Sequence, residues 1–308
     1  MKETTFHEHR DGLSGLARTF LGRAPRTRRV LVGTLRAAHL LALAEELTNL
    51  KPLIENFSEF VMRLSGLVGA RPFRAKVRGG PMIELPFGRG PRLVTTNFAL
   101  MLRETWGERI YTPPHFEIRE GETIVDLGAN IGVFTLFAAN QDRTGRIVAY
   151  EPLTSTSQLL RRNLELNGIT NVRVVQKGVL DRKFRGHMYC SKLNLGGHSI
   201  FQAMSGPLSV RVEVDFTTLD DVLIENHLDH VDLLKIDCEG SEYKIVRGAS
   251  SKTLAKVNRL VIELHTTSMA EDDPAQIVDR LSALGFAVRC QKLPSGLGML
   301  WARRAWDS

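Results

Sequence analysis

Two groups of residues in this chain combine types and spacings that can do chemistry. The first is Asp126-Leu-Gly-Ala-Asn-Ile-Gly132, followed nineteen residues after Gly132 by Glu151. Glycines at 128 and 132 let backbone approach a ligand closely. A carboxylate at the end of the next strand takes paired ribose hydroxyls. The second group is Asp237-Cys-Glu-Gly-Ser-Glu242, with Glu263 and His265 further along. Carboxylates and an imidazole brought together can move a proton or hold a hard divalent cation.

The first group departs from the dinucleotide fingerprint G-x-G-x-x-G. Asn130 stands where a pyrophosphate requires glycine, and Asp126, just ahead of the turn, repels a dianion. A cationic or zwitterionic nucleoside suits both. S-adenosylmethionine has a ribose for Glu151, an ammonium and a sulfonium for carboxylates, and no phosphate, so the sequence points to that cofactor. Methyl transfer from a sulfonium is an in-line displacement in which alignment of the nucleophile matters most. A hydroxyl nucleophile must also lose a proton, and two routes stay open. Either His265 or one of Asp237, Glu239 and Glu263 acts as general base, or a divalent metal on Asp237, Glu263 and His265 acidifies the hydroxyl.

Strand ends must present both groups. From Glu122 onward the pattern alternates strands and helices, as in a parallel α/β sheet. Strands are expected at 123–127, 147–151, 172–176, 231–236, 259–264, 285–290 and 297–302. Ligands sit at the carboxyl ends of such strands, where Asp237, Glu239, Glu263 and His265 fall. A helix from Ser155 to Leu166 is closed by Asn167-Gly168. A long polar insert with a final strand at 210–214 separates the third strand from the fourth, and its Asn194–Ser199 stretch could be a substrate-side loop or a glycine turn. Upstream, helices are expected from Val30 to about Leu67, broken at Lys51-Pro52. A hairpin follows around Gly79-Gly80-Pro81, and then a helical stretch at 97–104. This divides the chain into a basic arm, helices and hairpin (1–94) and a main domain (95–308).

The ordered set Asp126–Gly132, Tyr150-Glu-Pro152, Asn163-Leu-Glu-Leu-Asn-Gly168, Leu234–Glu242 and Glu263-Leu-His265 resembles the FkbM family of S-adenosylmethionine-dependent methyltransferases. The resemblance implies a class I (Rossmann-like) fold: a seven-stranded, mostly parallel sheet with its last strand antiparallel and helices on both faces. An α-helical N-terminal extension precedes it here. It also implies O-methylation of sugar or natural-product hydroxyls. By position, Asp126, Gly128, Asn130 and Gly132 would line the methionine end of the cofactor, and Glu151 its ribose. Asp181 would meet the adenine amino group, or else cap a turn. Glu104 and Tyr111 would close over the cofactor.

Composition narrows the remaining classes. Over 308 residues, 43% hydrophobic and 24% charged content is ordinary for a globular protein. Cys190, Cys238 and Cys290 form no framework, which fits a reducing compartment. No stretch is apolar enough to span a bilayer, so a cytoplasmic location is expected. Residues 1–36 hold eight basic residues against three acidic, within a net charge of +7. This arm could touch an anionic membrane surface, placing the protein peripherally there. Nucleic acid is disfavoured, because aromatic–basic interleaving is missing. The expected partner is a hydroxyl-bearing small molecule, glycan or lipid-linked acceptor. Two rival readings are a non-catalytic scaffold or membrane-surface protein keeping the fold, and a nicotinamide-dependent oxidoreductase, which Asn130 opposes.

Overall fold

The computed structural model describes residues 47–64, 73–85, 98–191, 198–201, 205, 209–266, 269, 272–292 and 298–304. The arginine-rich arm, most of the expected first helix and the Asn194–Gly197 part of the insert lie outside these. Among the described residues, no helix is long and apolar enough to cross a membrane. Residues 49–308 form one compact unit.

The chain enters through helix α1 (Phe57–Leu64) and a hairpin of β1 (Phe73–Lys76) and β2 (Met82–Leu85). Helical residues 98–102 then pass into a π-helical turn, Arg103–Gly107, closed by the Glu108 N–H on the Arg103 carbonyl at 2.7 Å. Such wide turns cluster at functional sites. This one turns Glu104 and Thr105 into the protein, where both are buried.

The main sheet contains β3 (Thr123–Leu127), β4 (Arg146–Tyr150), β5 (Val172–Val175), β10 (Val231–Ile236), β11 (Val257–Leu264), β12 (Phe286–Lys292) and β13 (Gly298–Arg304). Their order is β12-β13-β11-β10-β3-β4-β5, and β13 alone runs against the rest. This is the expected class I sheet. Each expected strand lies within two residues of its observed bounds. The inner strands are apolar because both faces are covered: seven of the eight residues of β11 are buried. Helix α2 (Val133–Gln141) and helix α3 (Thr154–Leu166) follow β3 and β4. Chain direction around the sheet reverses between β3 and β10, which opens a crevice at their carboxyl ends.

The insert is more structured than its polar sequence suggests. It forms a second sheet, β6-β9-β7-β8, from Gly178–Leu180, Val210–Thr218, Phe184–Cys190 and His198–Ser199. Its small core of Leu180, Met188, Val214 and Phe216 comes from alternate residues of short strands. Helices α4 (Leu219–Glu225), α5 (Glu242–Gly248), α6 (Ser251–Ala255) and α7 (Pro274–Ala283) complete the described fold. The hairpin is attached to the main sheet's helices, since Asn163 on α3 and Asn167 at its C-terminal cap hydrogen-bond the backbone of Glu84 and Met82.

Candidate functional site

The crevice holds a cleft of about 630 Å³, counted to its open mouth. One side is built by the turn after β3. Gly128 has φ 79°, and a Cβ there would fall on the carbonyl oxygen of Asp237, so β3 and β10 close together only around glycine. Asn130 is also left-handed (φ 51°), stabilised by its own side chain accepting from the Ile131 N–H at 2.8 Å. Glu151, 6% exposed, accepts from the N–H of Asn130 (3.0 Å) and of Leu153 (2.9 Å), one on each oxygen. Burial pushes its carboxyl up to about 7 despite these two donors. Each oxygen keeps a lone pair for a hydroxyl in the cleft.

Below this turn lies a buried charge network. Lys235 pairs in register with Asp126 across β10 and β3, and its ammonium sits 3.2 Å from Asp126 and 3.2 Å from Asp237. Burial opposes its charge, yet the two carboxylates hold it protonated. Asp126 also accepts from Thr135 Oγ1 at 2.6 Å. Asp126 is therefore fully buried and does not line the cleft, contrary to the sequence expectation. Side-chain alternation in β3 turns it toward Lys235, and Lys235 carries its influence to Asp237. Gly132 (φ 96°) is likewise absent from the cleft wall. It serves α3, because a Cβ there would strike Leu160.

The other side is built by the turn after β10. Asp237 and Glu239 line the cleft, and Glu239 is a second non-glycine residue at positive φ (49°). Glu242 begins α5 and reaches back to accept the N–H of Cys238 (2.8 Å) and Gly240 (3.1 Å), which locks the turn. His265, at the end of β11, places Nδ1 3.1 Å from Glu242 and Nε2 3.5 Å from Glu239 and 3.8 Å from Glu263. Burial alone would lower the imidazole, but Glu242, Glu239 and Asp237 overcome it and raise it well above its ordinary value. His265 is thus a charged hub, and a charged imidazole accepts no proton. Glu239 titrates near 8, raised first by burial, pulled back by His265 and raised again by Asp237. Burial and Asp237 push Glu263 up as well.

The π-helical turn and its continuation close this side. Tyr111 donates to Glu263 at 2.5 Å and lies 3.4 Å from Asp237. The Trp301 indole donates to the Ile110 carbonyl, fixing that segment to β13. Burial, then Glu263 and Asp237, push Glu104 up to about 8. Glu104 and Tyr111 are brought to the carboxylate cluster, but neither lines the cleft. Asp181 is not brought to it. It is exposed and lies against Gly248, because β6 joins the second sheet and carries the chain away from the crevice.

Among the described residues, Asp237, Glu242 and His265 each offer a ligand atom within 4.8 Å of the others. This trio differs from the expected metal set in having Glu242 for Glu263. It does not fit a cation as built. Glu242 Oε1 is occupied by two backbone N–H groups, and His265 Nδ1 by Glu242. Ligands must be deprotonated and free, whereas here they satisfy one another.

Of the cleft wall from the second sheet, sequence reasoning named only the Asn194–Ser199 stretch, which carries His198, as a substrate-side loop or a glycine turn. Met188, Ile200 and Phe216 supply apolar surface, and His198 adds an imidazole that burial lowers to about 4. Lys177, paired with Glu225 at 2.7 Å, borders the far end. For Met188, Ile200 and Phe216 the usable signal was the alternation of β9, which carries Phe216.

The chain is similar to known proteins as follows. The family model described as the methyltransferase FkbM domain matches residues 126–288. Methyltransferase 1 of Beauveria bassiana (strain ARSEF 2860) is 30% identical over 187 residues, spanning 55% of this chain and 74% of that protein. The 31-O-demethyl-FK506 methyltransferase FkbM of Streptomyces tacrolimicus is 27% identical, spanning 69% and 91% respectively. Among solved structures, M. jannaschii TYW2 in complex with AdoMet aligns at TM-score 0.40 and 16% identity, over 77% of this chain and 89% of that one.

Proposed function

The chain belongs to the FkbM family of S-adenosylmethionine-dependent methyltransferases, and on that premise we propose that it methylates a hydroxyl oxygen of a sugar, lipid-linked or natural-product acceptor. One observation carries this reading. Glu239 lines the cleft with its carboxyl 3.5 Å from the His265 imidazole, and burial pushes that carboxyl up to about 8. A base with a pKa near working pH is what a weakly acidic hydroxyl needs. The relative whose name specifies 31-O-demethyl-FK506 methylates an oxygen, which supports the same acceptor chemistry.

The residues present fit the cofactor. Gly128 leaves room that a side chain would fill, Glu151 has lone pairs for ribose hydroxyls, and the carboxylates around Asp237 outnumber Lys235 and His265. When bound, S-adenosylmethionine supplies an electrophilic methyl carbon. Glu239, on the cleft wall, would take the proton that the acceptor hydroxyl gives up. Glu151 would take the ribose hydroxyls, its carboxylate held by the Asn130 N–H. His265 orients the Glu239 carboxylate, and Tyr111 fixes Glu263 and Asp237 by its hydroxyl. The apolar wall of Met188, Ile200 and Phe216 excludes water beside the acceptor.

Glu239→Gln keeps shape and removes the base. Expected is a loss of roughly 10²–10⁴-fold in turnover, with cofactor affinity lower by no more than about tenfold. Cell extracts supplemented with methyl-labelled cofactor and pure enzyme would supply the labelled product for mass spectrometry. Label on nitrogen or carbon, or an undiminished rate in Glu239→Gln, overturns the reading.

A further inference from the structure

The cofactor turn is held from behind by a device that lies partly outside the matched family region. Asn163 on α3 is fully buried and makes three bonds. Its Oδ1 accepts from the Glu84 N–H at 2.7 Å, and its Nδ2 donates to the Ile131 carbonyl at 3.0 Å and to the Glu84 carbonyl at 3.3 Å. Asn167, one helical turn later, does the same for Met82, accepting at 2.7 Å and donating at 2.7 Å. The spacing explains the fit. Residues four apart on a helix rise about 6 Å. Alternate residues on a strand, whose N–H and C=O face the same edge, lie about 6.8 Å apart. Two asparagines thus replace the missing neighbour strand along the free edge of β2. The two amides differ in one respect: Asn163 also reaches the cofactor turn, and Asn167 does not.

Ile131 sits between Asn130 and Gly132, both left-handed, so its peptide groups have no regular-structure partner. The turn is pinned from the cleft side by the Asn130 N–H on Glu151 and from behind by Asn163 on the Ile131 carbonyl. Leu160, one turn before Asn163 on the same face of α3, presses on Gly132. We propose that Asn163 is a positioning residue for the cofactor: it sets the Asn130–Gly132 turn and couples cofactor affinity to the seating of the β1–β2 hairpin.

The test compares two variants that both loosen the hairpin. Asn163→Ala and Asn167→Ala are each titrated with S-adenosylmethionine and with S-adenosylhomocysteine by calorimetry, well below their melting temperatures. Expected is about tenfold weaker binding of both ligands to Asn163→Ala, and less than twofold change in Asn167→Ala at a comparable fall in Tm. If Asn163→Ala does not fold, Asn163→Asp takes its place. It keeps the acceptor for Glu84 and removes the donor to Ile131, so the same tenfold loss is expected. Equal losses in the two asparagine variants, or unchanged affinity in Asn163→Ala or Asn163→Asp, overturn the proposal. The inference rests on cofactor binding, and failure of the unaltered protein to bind either ligand would count against that premise separately.

Discussion

Binding of the cationic cofactor should release protons. Four carboxyls at or near the cleft titrate above their ordinary range: Glu104 and Glu239 near 8, Glu151 near 7, and Glu263 raised. At pH 7.5 a group titrating near 8 is about three-quarters protonated. A unit positive charge about 5 Å away, at an effective dielectric near 20, contributes about 3 kcal/mol, or roughly two pKa units. Glu239 keeps 30% of its side chain exposed, so we discount that to about 1.5 units. Its protonated fraction then falls to about one in ten, releasing roughly two-thirds of a proton. The sign is fixed: a cation favours the ionised carboxyl, protons leave, and affinity rises with pH until the free protein is already ionised, above about 8. Calorimetry in phosphate, HEPES and Tris at pH 7.5 gives the proton count from the slope of enthalpy against buffer ionisation enthalpy. S-adenosylhomocysteine lacks the sulfonium charge and should release about half a proton less. A buffer-independent enthalpy, or equal slopes for the two ligands, would refute the placement of a positive centre beside these carboxyls.

Two further outcomes test the framework of the site. Gly128→Ala should lose about 2–4 kcal/mol in denaturant titration and most cofactor affinity, since the new methyl meets the Asp237 carbonyl. Gly121→Ala, also at positive φ but facing open space, should lose only about 1 kcal/mol, and a matching loss in both variants would remove the contact argument. Lys235→Met should cost about 3–5 kcal/mol, because Asp126 and Asp237 are left as buried charges without a counter-ion. A urea midpoint unchanged from the parent would show that the pair is not coupled.

Much of this was readable in one dimension. The seven strands announce themselves because a sheet covered on both faces must be apolar along whole strands, as β11 is. The cofactor class followed from Asn130 and Asp126 standing where a diphosphate could not be approached. The second sheet was harder to see. Its longer strands bury only a minority of their residues, β6 has three residues and β8 has two. The hairpin's attachment was invisible, because it depends on two asparagines 79 to 85 positions away in sequence.

The sequence by itself determined the chemistry available: which carboxylates, which histidine, and which turns glycine permits. Tertiary structure decided what each of them does. Asp126 was expected at the ligand and instead neutralises Lys235, because strand register sets them side by side. His265 was one of the groups expected as a base and is held charged, because three carboxylates of the turn after β10 surround it. Asp181 was expected at adenine and lies against Gly248, because the second sheet draws its strand aside. Residue type fixes what a group can do in water. Which proton it keeps, and what it faces, depend on burial and on neighbours that only the fold assembles.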